Sequence, residues 1–149
     1  MTAKSWNQLA AALAIALCAA PAAAEPVKVR VEAKPHWTDG TVSVVEGQRL
    51  RIAATGTWTD WTITRGPEGF SKWYLKPFES GRRIPKAKWF ALIGCVGQTL
   101  DHCFVVGRGG TFTAPATGRL WFFANDVRSA HWNNKGHVDV TVDVEPAAS

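Results

Sequence analysis

The 149 residues are 46% hydrophobic and carry a formal charge of +5, a composition that excludes a disordered chain, which is too poor in apolar groups to build a core. The charge is mild and interspersed with acids, and the densest basic run, Ser80 to Lys88, is short and broken by Pro85, so nucleic acid is excluded as a partner. No segment offers the ~20 consecutive apolar residues that a membrane span needs.

Residues 1–24 read as a cleavable signal peptide, with Lys4 ahead of an apolar run from Leu9 and small residues Ala22 and Ala24 before Glu25. A lipidated cysteine normally follows a small residue, whereas Leu17 precedes Cys18, which argues against a lipoprotein. The expectation is a secreted or periplasmic protein with a single β-sandwich domain over residues 25–149.

From Val27 the chain alternates: Val27, Val29 and Val31 share one face and charges the other, the signature of a half-buried strand. Thr41 to Val45 and Arg49 to Ala54 repeat the pattern, and Glu46-Gly47 between them predicts a hairpin. Between Gly56 and Lys88 the periodicity fades into a long segment rich in Gly, Pro, Trp and charge. Its aromatic residues argue against disorder, so an ordered surface loop is expected, with the basic run Ser80 to Lys88 solvated.

Trp89 to Val96 is an unbroken apolar run that suits a strand covered on both faces. Further short strands follow, and Val138, Val140, Val142 and Val144 alternate again near the C-terminus. Eight or so strands with Gly-rich turns and no helical period indicate an all-β sandwich or jelly roll. Cys95 and Cys103 remain once the signal peptide leaves, and in an oxidising compartment they are expected to join across a hairpin.

Chemistry concentrates between Asn125 and Gly136, where Asp126 and three carboxamides, Asn125, Asn133 and Asn134, lie between two strands. Calcium takes six to eight oxygens from such groups and from main-chain carbonyls. The competing reading is that Asn and Asp are there to make turns. His36, His102, His131 and His137 are scattered without zinc-ligand spacing; His131 alone sits within this loop, where it could touch a ligand hydroxyl. Trp61, Trp73, Tyr74 and Trp132 are candidate stacking platforms for a sugar face. No nucleophile elbow or phosphate loop occurs, and the only candidate acid pair comes from Asp60, Glu68 and Glu79, so the chain is read as a non-enzyme.

Gly56 to Trp58, Arg65 to Gly69, Ala91 to Gly97, and the Asn125-Asp126-Val127 motif followed by Asn133-Asn134-x-Gly occur in the order seen in LecA-type (PA-IL-like) lectins. The chain resembles that family of calcium-dependent, galactose-binding bacterial β-sandwich lectins from about Trp37 to Val144. The resemblance implies Ca2+ as cofactor, held by the Asp126 carboxylate, the Asn133 and Asn134 side-chain oxygens and the main-chain carbonyls of Trp61 and Ala130. It implies carbohydrate as the partner, two vicinal hydroxyls completing the coordination, with Trp73, Tyr74, His131 and Trp132 as sugar-binding candidates. Family members are often oligomers, which admits a homo-oligomer here, but that state does not transfer without interface residues. Phe70 to Lys88 lacks the family's His-Pro-x-x-Gln pattern, which separates this chain from galactose specificity. Two alternatives stand beside this reading: a lectin-fold interaction domain with a degenerate metal site, and a binder of acidic polysaccharide or lipopolysaccharide through Arg82, Arg83, Lys86 and Lys88.

Overall fold

A computed structural model describes Cys18 and residues 24–147; the predicted signal peptide falls almost wholly outside the described residues. Two five-stranded sheets face each other across one core, built from ten strands: β1 (Val27–Glu32), β2 (Thr38–Val44), β3 (Arg49–Asp60), β4 (Ile63–Arg65), β5 (Glu68–Phe70), β6 (Trp89–Val96), β7 (Cys103–Val105), β8 (Gly109–Thr113), β9 (Gly118–Ala124) and β10 (Asn134–Val144). All pairings are antiparallel, so the predicted all-β sandwich stands. One sheet runs β1-β10-β3-β4 with β8 also on β3, the other β2-β9-β6-β5 with β7 on β6.

The valine alternation explains the first sheet. Val27, Val29 and Val31 of β1 pair with Val142, Val140 and Val138 of β10, and both stripes turn inward. A one-residue slip would send every one of these side chains to water, which fixes the register. Leu50, Ile52 and Ala54 of β3 join them, and Trp58, fully buried, continues the same face. Asp60, two residues on, therefore faces the same side as Trp58. In the second sheet β6 is buried at every position, as its unbroken apolar run predicts.

Cys95 and Cys103 face each other across β6 and β7 and are joined by a disulfide, eight residues apart. Closing so short a loop stabilises the hairpin by roughly 2–3 kcal/mol.

Three local expectations are corrected. The Glu46-Gly47 turn does not make a hairpin: β2 pairs with β9 and β3 with β10, β8 and β4, so the turn carries the chain from one sheet to the other. Val42 and Val44 on one side and Leu50, Ile52 and Ala54 on the other reach the same core either way, and alternation alone does not distinguish the two topologies. The segment after Gly56 is ordered, as expected, but holds the end of β3, β4, β5 and a 3-10 helix over Trp73–Gly81.

Third, Arg82 and Arg83 are buried rather than solvated. The Arg83 guanidinium lies 3.5 Å from the Phe123 ring centroid and 4.5 Å from that of Trp37, while Arg82 lies 5.0 Å from Trp89. Aromatic faces hold both cations; Glu79 also approaches Arg82 at 3.8 Å, whereas Arg83 has no ion pair among the described residues. Burial lowers Arg83 to a pKa of about 10, with Arg128 adding repulsion.

Candidate functional site

β9 runs out into Asn125-Asp126, and a 3-10 turn over Arg128–Asn133 returns the chain to the start of β10 at Asn134. This turn brings the two halves of the oxygen-rich stretch together at one end of the sandwich. Asn125, the first carboxamide of the stretch, serves the fold. Its carboxamide is fully buried, donates to the Ile84, Lys88 and Ala87 carbonyls at 2.9, 3.0 and 3.2 Å, and accepts from the Ile84 N–H at 2.9 Å. It clamps the segment carrying the two buried arginines.

Asp126 is also buried. Its Oδ1 accepts from the Val127 N–H at 2.6 Å and its Oδ2 from Asn134 Nδ2 at 3.0 Å. Burial raises the Asp126 pKa, and those two hydrogen bonds oppose the shift. Asn134 Nδ2 also reaches the Ala33 carbonyl at 3.3 Å, which turns its Oδ1 away from any donor. Asn133 Oδ1 is likewise buried without a partner. An acceptor left so costs about 1–3 kcal/mol, and carboxamide oxygens of this kind are ligands that a hard cation accepts.

Asp60, which the sequence reading placed only among acids for hydrolysis, stands beside this cluster. It pairs with Asn134 across the β3–β10 ladder. Burial, and then the charge of Asp126, raise its pKa to about 6. The other two acids lie elsewhere: Glu68 forms an ion pair with Arg108 at 3.0 Å and Glu79 approaches Arg82 at 3.8 Å, so the three do not form a hydrolytic pair. The signal available in the sequence was the parity of Asp60 with Trp58, hidden because the strand end was read as loop.

A cleft of about 250 Å³ opens next to these oxygens, lined by Asp60, Trp61, Thr62, Ile63, Tyr74, Leu75 and Asn133. Trp61 forms the tight β3–β4 turn, 74% exposed and with φ of 51°. A bulky residue at positive φ is strained by roughly 1–3 kcal/mol, a cost that recurs at functional sites. Ala130 lies in the 3-10 turn, its N–H bound to the Val127 carbonyl at 2.9 Å.

Of the sugar-binding candidates, Tyr74 lines the cleft. Trp73 packs edge-on against it with ring centroids 5.9 Å apart and is otherwise exposed; Trp132 is exposed beside Asn133. His131 is different and corrects the sequence expectation. It is 3% exposed and packs edge-on against His36 at 4.7 Å, so it does not present itself to a ligand hydroxyl. Burial, then the charges of Arg83 and His36, lower its pKa to about 4, which keeps it neutral at physiological pH.

No protein-family model and no curated protein sequence matches the chain. Among solved structures the chain is similar to the EclA N-terminal domain, described as a PllA-like lectin, with a TM-score of 0.63 and 20% identity over 80% of this chain and 98% of that one. The sandwich at whose end Asp126 and Asn134 bond is thus similar in fold to that lectin domain.

Proposed function

We propose that the chain is an exported, LecA-type carbohydrate-binding protein that uses Ca2+ to hold sugar hydroxyls, with residues 1–24 removed on export. The observation that carries this reading is a group of buried acceptors without donors at one end of the fold: the Oδ1 of Asn134, whose Nδ2 bonds the buried Asp126 carboxylate, and the Oδ1 of Asn133, which lines a cleft with Trp61 and Tyr74. Asp126, the two carboxamide oxygens and the carbonyls of Trp61 and Ala130 would hold the ion. Bound there, Ca2+ would supply open coordination positions for two vicinal hydroxyls. The chain's own aromatic side chains exclude water from one side of the sugar and stack on its apolar face. The likeness to a PllA-like lectin domain supports the carbohydrate part of the reading. No catalytic step is proposed, and burial of Arg82 and Arg83 removes half of the basic groups that an acidic polysaccharide would need.

Calcium should raise the melting temperature of metal-stripped protein, because a ligand of the folded state alone adds about 2.7 kcal/mol at a hundredfold excess over Kd. EDTA should reverse the shift. A transition unmoved by either, in protein shown by elemental analysis to take up the metal, contradicts the proposal.

Two predictions concern the rim. Trp61→Gly relieves the positive φ and buries nothing less, so the melting temperature should hold or rise while sugar affinity falls by about tenfold through loss of the stacking face. Equilibrium unfolding and calorimetry on the same preparation separate the two effects. Because the metal contacts hydroxyls common to many sugars, discrimination rests on groups around the remaining hydroxyls. The family's His-Pro-x-x-Gln pattern is absent and Trp73 and Tyr74 stand near that position, so a glycan array in Ca2+ should show weak or no galactose binding and a stronger response to another glycan. Tight galactose binding would show that the Phe70 to Lys88 segment does not set specificity.

A further inference from the structure

Asp60 closes β3 and Asp126 follows the end of β9, and among the described residues neither meets a Lys, Arg or His within ion-pair distance. Between them stands Asn134, paired with Asp60 in the β ladder, bonded through Nδ2 to Asp126, and holding an unpartnered Oδ1 while 3% exposed. Asn133, whose Oδ1 also lacks a donor, lines the same cleft as Asp60.

Negative charge and unpaired acceptors in one place need a positive group, and no side chain of the described residues supplies it. A water molecule would satisfy one or two acceptors but leave the repulsion between the carboxylates intact. A divalent cation satisfies the acceptors and cancels both charges. We propose that Asp60 is a second carboxylate ligand of the cation site, making the assembled site electrically neutral with Ca2+ bound rather than carrying the surplus positive charge that Asp126 alone would leave.

This inference rests on the calcium reading above and adds one residue to it. Its consequence is affinity: calcium sites are tuned chiefly by the number of charged ligands and by rigidity, and Asp60 is held on a strand by the ladder rather than on a free loop. The neutral site also makes no demand on the sugar for charge, so uncharged hydroxyls suffice to complete it.

Calorimetric titration of metal-stripped protein with Ca2+ alone, without sugar, tests the assignment. The wild-type chain should bind one ion, Asp60→Asn should raise Kd by about ten- to hundredfold, and Asp60→Ser should do the same, both with unchanged circular dichroism. Retention of wild-type affinity in Asp60→Asn while Asp126→Asn loses it would overturn the role of Asp60 and leave the calcium reading standing. Failure of the wild-type protein to bind Ca2+ would overturn both. If Asp60→Asn unfolds, the serine variant carries the comparison, and an affinity equal to wild type there counts against the proposal.

Discussion

Asn125→Ala is expected to destabilise the protein by about 3–5 kcal/mol, the largest single effect at this end of the fold. The Asn125 carboxamide makes four hydrogen bonds to the main chain of Ile84, Ala87 and Lys88, all from a fully buried position. Truncation strands the Ile84 N–H and the Ala87 carbonyl, while the Ile84 and Lys88 carbonyls keep the Ala87 and Ala91 N–H groups at 3.1 and 3.3 Å; each stranded group that water does not reach costs about 1–3 kcal/mol. The segment it clamps also carries Arg82 and Arg83, so its loosening exposes two cations packed on Trp89, Trp37 and Phe123. Urea unfolding gives the value directly. A loss below about 1 kcal/mol would mean that the segment is held by other contacts.

Asp126→Asn is expected to have the largest effect on function and a small one on the fold. The substitution keeps the shape and one oxygen for the Val127 N–H, but sets an amide against Asn134 Nδ2, which donates to Asp126 at 3.0 Å. It also removes a charge whose burial is unfavourable, as the raised pKa of Asp126 indicates. These terms oppose each other, so metal-free stability should stay within about 1–2 kcal/mol of wild type. Calcium affinity should fall by more than about a hundredfold, because the one charged ligand bonded directly into the carboxamide cluster is gone. Thermal unfolding with and without Ca2+ reports both quantities: a melting temperature near that of the wild type in EDTA, and no shift on adding the metal.

How much of this was legible in the sequence depended on whether the information was local. Period-two valines placed β1 and β10, and an unbroken apolar run placed β6, because burial on one face or both writes itself into consecutive residues. The Cys95–Cys103 bridge followed from counting. The partner of a strand is not local: β2 and β3 look like a hairpin in sequence and lie in different sheets. Neither is the environment of a charge. Arg83 reads as a solvated cation until Trp37 and Phe123, distant in sequence, close over it.

The site divides the same way. Asp126, Asn133 and Asn134 stood out because two short motifs bracket one turn, and the fold does bring Asp126 and Asn134 into contact. Asn125 lies in the same oxygen-rich stretch and is a structural clamp, a role set by the main-chain groups that surround its carboxamide. Asp60 sits more than sixty residues upstream of Asp126 and enters through ladder pairing with Asn134, which no spacing within the motif encodes. His131 was drawn toward the ligand by its place in the loop, whereas a buried, neutral imidazole against His36 lies in the support of that loop.

The central claim is that sugar recognition runs through a cation held by Asp126, Asn133 and Asn134. Calorimetric titration of the strongest glycan from the array, into one protein sample with Ca2+ and again with EDTA, tests it most directly. The account predicts one binding site in Ca2+, no detectable heat in EDTA, and recovery when Ca2+ is restored. Equal affinity in both conditions would contradict it, placing the sugar on the aromatic surface of Trp61, Trp73 and Tyr74 without the metal.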